Sequence, residues 1–570
     1  MNMNKFSENN QPAKSHFLIL SLILNLSAVI IYGLDQGFVY RWLVFGLWVL
    51  GMALALIPFF PILKKGWQPI YKRKELLFLV VLIAFSAFFR LYDLNKIPIL
   101  SGDEVRDAGF LPEKFLKGEI RDFFGYGVYG IPNLFFAFSS LAHLLFGHSI
   151  LAIRFFAAFF GVLSVVLTYF LAKKHFGLKV GKISALLMAV YHVHLHFSRS
   201  EFLVLLDSFW APLIAILLLD ALKKRFSPLL LGIVLGMAFH FYQGIRAFLL
   251  LTVVYFLVWA LFTFCRSARF LWLKVGHFFA GLFLGLGPSL LVIFTRSNEA
   301  FNTGTAGKPL FFSLGLGEFL RIFPSRLYRS LGSLIHYPVD FHYRYGGPFI
   351  EFPFSCFFIL GLFFLAKNVK RKQNNLLLFW VFSVFLFNSA ILVDLNFTHR
   401  LLSVIPPIMI TLALGVVNFA SFFKKNLFLS KLILFLVVLA FIFFNLKLYF
   451  LDSVWINAVD INTKVATMAG YYTTAFSSGT KFYFLNSQRM SWQSGPNWEY
   501  IAPQAQIEDI SEGAFVSLLS KLHSRNGKNV FIVLPERKKD LEMIEASFPG
   551  GFLENHYYNQ EWLFITYELF

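Results

Sequence analysis

Residues 99–110, ILSGDEVRDAGF, place two adjacent carboxylates, Asp103 and Glu104, and a base, Arg106, just after a long apolar run. Neighbouring residues share a face on neither a helix nor a strand. The two acids therefore make a poor like-charge dyad, and the pattern fits one working carboxylate supported by the other. A solvated helix start, where the dipole favours acids, accounts for the same residues. Three arginines stand beside apolar blocks: Arg199 in HFSRSEF, Arg246 in YQGIRAF and Arg400 in NFTHRLLSVIPP. An arginine fork matches a phosphate at two points, while a lone arginine at a membrane edge can also snorkel to headgroups. Asp207 lies inside the apolar run FLVLLDSFWAPL and needs an arginine, a metal or a polar ligand. His192 and His196 in YHVHLHF have i, i+4 spacing, but nothing nearby in sequence completes a metal site. The sequence supports no metal or other cofactor. It has no G-x-x-x-x-G-K-[ST] phosphate loop, and GLFLGLGP, residues 281–288, reads as a close-packing helix face.

The elements that position these residues are membrane spans. The 570-residue chain is 57% hydrophobic, with 75 phenylalanines. Its apolar residues fall in blocks long enough to cross the roughly 30 Å of a bilayer core. We expect a polytopic α-helical membrane protein with about thirteen transmembrane helices. The spans lie near residues 16–34, 39–61, 75–92, 149–172, 183–198, 203–222, 229–245, 247–264, 275–294, 348–366, 376–394, 401–421 and 431–451. Segment 131–147 is too short to span and reads as an interfacial helix. The N-terminus shows no cleavage site after its apolar run, so no removable signal peptide is expected.

The net charge of +20 resides in the membrane part, because residues 452–570 carry 13 acidic against 9 basic side chains. Every second loop holds the Lys and Arg, including KKGWQPIYKRK, KKHFGLKVGK, KKRFSP, CRSARFLWLK, KNVKRKQNN and KKNLFLSK. The positive-inside rule puts these in the cytoplasm. This is a topological signal, distinct from the basic, aromatic-lined face that binds nucleic acid, so no nucleic-acid partner is expected. Asp103, the three arginines, long loops 93–148 and 295–347, and residues 452–570 then fall outside. Cys265 and Cys356 fall on opposite sides, which argues against a disulfide. The domains expected are 1–74, two additional helices with a cytoplasmic loop; 75–451, the transmembrane core; and 452–570, a small extramembrane α/β domain. In the last, KFYFLN, NVFIVLP and WLFITYEL read as strands and ERKKDLEMIEASF as a helix.

In order along the chain, the Asp103-Glu104-x-Arg106 loop is followed by an apolar helix at Pro132 and then by LLFGHSILAIRFFAAFFGVLSVVLTYFLAKKHFG. After these come HLHFSRSEF, GMAFHFYQGIRAF and HRLLSVIPPIMITLALGV. This set resembles the C-type (GT-C) membrane glycosyltransferases of the protein O-mannosyltransferase and aminoarabinose-transferase superfamily, and is most similar to glycosyltransferase family 39. The likeness covers roughly residues 75–450, with a weaker match in the SFPGGFLE region. It implies a GT-C fold and an inverting transferase of a cell-envelope membrane, the bacterial inner or plasma membrane. The donor would be a polyprenyl-phosphate monosaccharide, used at the outer face without a nucleotide, and the acceptor a hydroxyl of protein, lipid or glycan. Asp103 matches the family's loop aspartate, its base or acceptor-positioning group, and Glu104 and Arg106 match its neighbours. Arg199, Asp207, Arg246 and Arg400 fall on landmark positions, and their assignment to donor phosphate rests on charge. The sequence YGIPNL departs from the aminoarabinose transferases, which carry an acid and a lysine just before the proline. Two other classes compete: a membrane transporter or flippase, which would show repeated halves, and a lipid-linked glycan ligase or polymerase with a diphosphate donor.

Overall fold

A computed structural model describes residues 11–59, 73–200, 202–222, 228–264, 268–301, 308–339, 343, 345–477, 479–517 and 528–569. Most of loop KKGWQPIYKRK, parts of KKRFSP, CRSARFLWLK and loop 295–347, and Cys265 lie outside them. Each expected span overlaps a helix, and the helices are unequal. Among the described residues, six are long and apolar enough to cross a bilayer: His16–Leu34, Ile150–Phe176, Leu203–Leu222, Ile245–Phe262, Thr398–Ser421 and Leu427–Leu451. The pair Trp272–Leu286 and Ser289–Thr295, bent by 86°, makes a seventh when counted as one span. Shorter apolar helices include Arg41–Leu56, Asn133–Phe146, Pro228–Ala238 and Ser355–Lys367. The chain is thus a helical integral membrane protein with a C-terminal sheet.

Local chemistry explains the breaks. Gly287 takes φ +53° and Pro288 follows it. Proline has no N–H to give the carbonyl four residues back, which is that of Leu284. That oxygen instead accepts from Trp48 Nε1 at 2.9 Å and Asn25 Nδ2 at 3.1 Å. The first two helices therefore supply, from outside, the bonds that the bend releases. The GLFLGLGP face packs backbone against backbone, since a Cβ at Gly281 or Gly285 would fall on the carbonyls of Leu229 or Ile233. The span expected at 183–198 divides at Tyr191 into Leu178–Val190 and His192–Phe197. Helix Asn133–Phe146 is 14 residues long, or about 21 Å at 1.5 Å per residue, too short to cross.

The C-terminal unit has one five-stranded sheet: β1 (Lys481–Leu485), β2 (Gln506–Ile510), β3 (Asn529–Val533), β4 (Phe552–Tyr558) and β5 (Glu561–Leu569), in the order β2-β1-β3-β5-β4. The pairs β1–β2 and β1–β3 are parallel, and β5 runs antiparallel between β3 and β4. Period-2 alternation splits the core. Tyr483, Leu485, Phe531 and Val533 pack on one face with helix Lys538–Ser547. Phe482, Phe484, Val530 and Ile532 pack on the other with helix Ile461–Thr474 and Trp498. Strands β1, β3 and β5 are the three read from the sequence. The edge strands β2 and β4 are mostly polar or exposed, so they lack the apolar run that marks a buried strand.

The unit sits directly on the Asp103 loop. Leu100, Val105, Ala108, Ile153 and Tyr500 form one apolar cluster. Asn497 Nδ2 donates to the Leu100 carbonyl at 2.7 Å, and Thr467 Oγ1 donates to it at 3.2 Å.

Candidate active site

Ser101 caps the short helix Gly102–Glu104 in a reciprocal box. Its Oγ accepts from the Glu104 amide at 3.2 Å, and Glu104 Oε2 accepts from the Ser101 amide at 3.0 Å. This geometry turns Glu104 inward, where it accepts from Arg154 Nε at 2.9 Å and Arg154 Nη2 at 3.1 Å. Both side chains are 0% exposed. Arg154 Nη1 also donates to the carbonyls of Leu94 and Pro98, at 2.8 and 2.9 Å. Glu104 thus ties the loop to helix Ile150–Phe176, and its neighbour Asp103 faces outward. Asp103 is 45% exposed and pairs with Arg106 Nη1 at 2.8 Å. Arg106 also grips Asp107 at 2.7 and 2.9 Å. Burial works against the Arg106 charge, but its bond to Asp107 and the charges of Asp107 and Asp103 outweigh burial and raise its pKa.

Arg106 lies over the Tyr129 ring, 5.4 Å from its centroid, and Tyr129 links this loop to the turn 239–244. Tyr129 takes φ +57°, an uncommon conformation for a non-glycine residue. Its carbonyl accepts from Gln243 Nε2 at 2.9 Å, and the Gly130 carbonyl accepts from Arg246 Nη2 at 3.5 Å. Behind the turn is a cavity of about 550 Å³. Its walls include Leu235, Phe239, Leu249, Val253 and Leu282, while Gln243, Arg246, Asn388 and Arg400 bring its polar groups. Arg246 Nη1 donates to the Ala300 carbonyl at 2.6 Å, but its Nε and Gln243 Oε1 are buried without a hydrogen-bond partner among the described residues. Arg400 pairs with Asp394 at 3.6 Å. Asn388 Nδ2 donates to the carbonyls of Gly244 and Arg400, both at 2.7 Å, and so joins the two arginine-bearing segments. An apolar chamber edged by two guanidinium groups suits an anion carried on a lipid chain.

The structure places the other expected site residues differently. Arg199 is buried and donates to the carbonyls of Phe89, Tyr92 and Ile97, closing the end of helix Arg73–Leu91. Asp207 is wholly buried and faces the Ile245 backbone. It lies against Gly244, where an added Cβ would fall on Asp207 Oδ2, and Arg246 is an electrostatic neighbour. Asp103, Arg106, Arg246 and Arg400 are therefore connected through Tyr129 and Asn388, whereas Glu104, Arg199 and Asp207 act behind them. His192 bonds Tyr343 Oη at 2.8 Å and Glu351 at 2.7 Å, and His196 stacks on Tyr343. Among the described residues, no three His, Cys, Asp or Glu side chains come together to hold a metal.

Sequence reasoning missed Arg154, Tyr129, Gln243 and Asn388. Arg154 had a signal: like Arg199, it is a basic residue at the end of an apolar block. Nothing in the sequence marks Tyr129 or Asn388, whose roles run through main-chain carbonyls.

A family model described as dolichyl-phosphate-mannose-protein mannosyltransferase matches residues 131–287. The resemblance to membrane glycosyltransferases of family 39 type is thereby borne out over that stretch. Among solved structures, ArnT from Cupriavidus metallidurans bound to undecaprenyl phosphate is 14% identical, covering 86% of this chain and 97% of its own, with a TM-score of 0.47. The archaeal oligosaccharyltransferase AglB from Archaeoglobus fulgidus, with an inhibitory peptide and a dolichol-phosphate, is 15% identical, covering 87% and 74%, with a TM-score of 0.43. No curated protein matches the chain.

Proposed function

We propose that this chain is a glycosyltransferase that moves a monosaccharide from a polyprenyl phosphate to an acceptor hydroxyl at the outer membrane face. The observation that carries this reading is the apolar cavity edged by Arg246 and Arg400 and linked through Tyr129 to Arg106 and Asp103. The prenyl chain would occupy the apolar chamber, with its phosphate against the two guanidinium groups. The Asp103 carboxylate would hold the acceptor hydroxyl and take its proton as the oxygen attacks the anomeric carbon. The bond from that carbon to the phosphate oxygen breaks, and polyprenyl phosphate leaves. A single displacement inverts the anomeric centre. Fixed guanidinium donors stabilise the charge that develops on the leaving phosphate.

In this reading Glu104 and Asp207 are positioning residues, the first for Asp103 and the second for the turn that carries Arg246. Arg199 secures the loop's entry. Residues 1–74, 75–451 and 452–570 serve as the additional helix pair, the catalytic core and an outer domain that covers the Asp103 loop. The membrane is a bacterial inner or plasma membrane, with loops 93–148 and 295–347 outside. Helix Asn133–Phe146, which bears the matched stretch's first residues, lies along the outer surface. The test is transfer from a radiolabelled polyprenyl-phosphate sugar in proteoliposomes. Asp103→Asn is expected to lower kcat by about 10²–10⁴-fold, the usual share of general-base help, with little change in KM for the donor. Transfer at the unmutated rate would remove Asp103 from the chemistry.

A further inference from the structure

Helix Leu316–Gly332 in loop 295–347 shows three different faces. At 3.6 residues per turn, Phe319, Ser330 and the stem of Arg326 share the side turned to the protein, where Phe319 and Ser330 are buried. Leu316, Leu320, Pro324 and Tyr328 follow at intervals of four and form a second stripe, exposed throughout. Leu316, Leu320 and Tyr328 are 63%, 58% and 66% exposed. The remaining side carries Glu318, Arg321, Ser325 and Arg329, also exposed. A helix in water has no use for the second stripe. A helix crossing a bilayer could not carry the third. One that rests on protein, with lipid along one flank and water along the other, needs all three.

The helix is also fastened to the cavity. Arg326 donates to the carbonyls of Ala390, Leu392 and Val393, and Ser330 Oγ donates to the Phe385 carbonyl at 2.9 Å. Asn396 Nδ2 in turn donates to the Arg329 carbonyl. Phe387, Asn388 and Leu392 of that same segment wall the cavity.

We propose that helix Leu316–Gly332 floats in the headgroup–acyl boundary of the leaflet at this end of the bundle. Its Leu316–Leu320–Tyr328 stripe sits in phospholipid, and Arg326 transmits that placement to the cavity wall. The occupant of the stripe is membrane lipid, because other exposed apolar residues flank it, Phe312 just before the helix and Phe387 in the segment to which it is fastened, and its basic edge, Arg321 and Arg329 against the single acid Glu318, suits headgroup phosphates. The coupling to donor binding rests on the function proposed above, whereas the placement in lipid does not.

The test uses full-length protein with Cys265→Ser and Cys356→Ser, reconstituted in bilayers, with a spin label at Leu320→Cys or Ser325→Cys. Collisions with oxygen report lipid and those with a water-soluble nickel chelate report solvent. We expect the oxygen-to-nickel ratio to be high at 320 and low at 325. Equal, water-like ratios at both positions would overturn the placement, and shielding of 320 from both reagents would assign the stripe to a protein partner instead. Arg326→Ala, carrying the label at 320, is expected to keep the high ratio there while raising KM for the lipid donor and leaving kcat unchanged. An unchanged KM with the label still in lipid would overturn the coupling alone, so it is distinguishable from a failure of the transferase reading, in which no transfer occurs at all.

Discussion

The buried pair Glu104–Arg154 gives the sharpest test of how the Asp103 loop is held. Glu104→Gln keeps the shape of the side chain and a carbonyl oxygen able to accept from the Ser101 amide, but it removes the negative charge held in the Arg154 fork. Both side chains are 0% exposed, so solvent cannot compensate. Leaving one member of a buried pair uncompensated costs about 3–5 kcal/mol. The loss is local to the loop, and amide hydrogen exchange reads local opening directly. At 1.4 kcal/mol per decade, protection of residues 102–110 should fall by about 10²-fold to 4 × 10³-fold. Arg154→Met should do worse, because the Leu94 and Pro98 carbonyls then also lose their donor. Transfer should fall in both variants, in step with the loss of loop protection. If Glu104→Gln loses transfer with protection reduced less than tenfold, Glu104 acts on the substrate and the positioning argument is wrong.

Three further outcomes follow from the geometry. Arg246→Ala and Arg400→Ala should each raise KM for the polyprenyl-phosphate donor by about 10- to 100-fold, the worth of one charged hydrogen bond; Lys at either position should recover little of it, since it lacks the planar fork. Gly244→Ala should destabilise the arginine-bearing turn by about 1–3 kcal/mol through overpacking, and Asp207→Ala, by removing the oxygen that the new methyl meets, should return part of that loss in thermal unfolding of the double variant. Burial lowers the pKa of His556, with Glu554 and Glu568 opposing. A histidine with a lowered folded pKa contributes stability above its unfolded pKa near 6.5 and loses it as pH falls through the window below that value. Acidification through that window should therefore loosen the β4–β5 hairpin, as followed by exchange at residues 552–569, and His556→Gln should flatten that slope.

The sequence by itself determined the class of the molecule. Block length and apolarity specify membrane helices because a bilayer core has one thickness, and the short 131–147 segment failed that length in sequence as its 14-residue helix does in structure. The strands β1, β3 and β5 were legible because buried strands are continuously apolar, whereas β2 and β4 were not, since an edge needs only main-chain bonds from its neighbour. Asp103, Arg106, Arg246 and Arg400 were recognisable as charges where charge is costly. Tertiary structure alone decided how each such charge is used. Arg199 and Arg246 look alike in sequence, yet the first spends its guanidinium on carbonyls of residues 89–97 and the second borders an apolar cavity. Glu104 and Asp103 are adjacent, yet one is enclosed by Arg154 and the other open. The partners that make these distinctions lie roughly fifty to more than a hundred residues away along the chain, and many are main-chain carbonyls, which every residue type carries alike. Composition and spacing can say that a buried charge must be answered, but only the packed fold says by what.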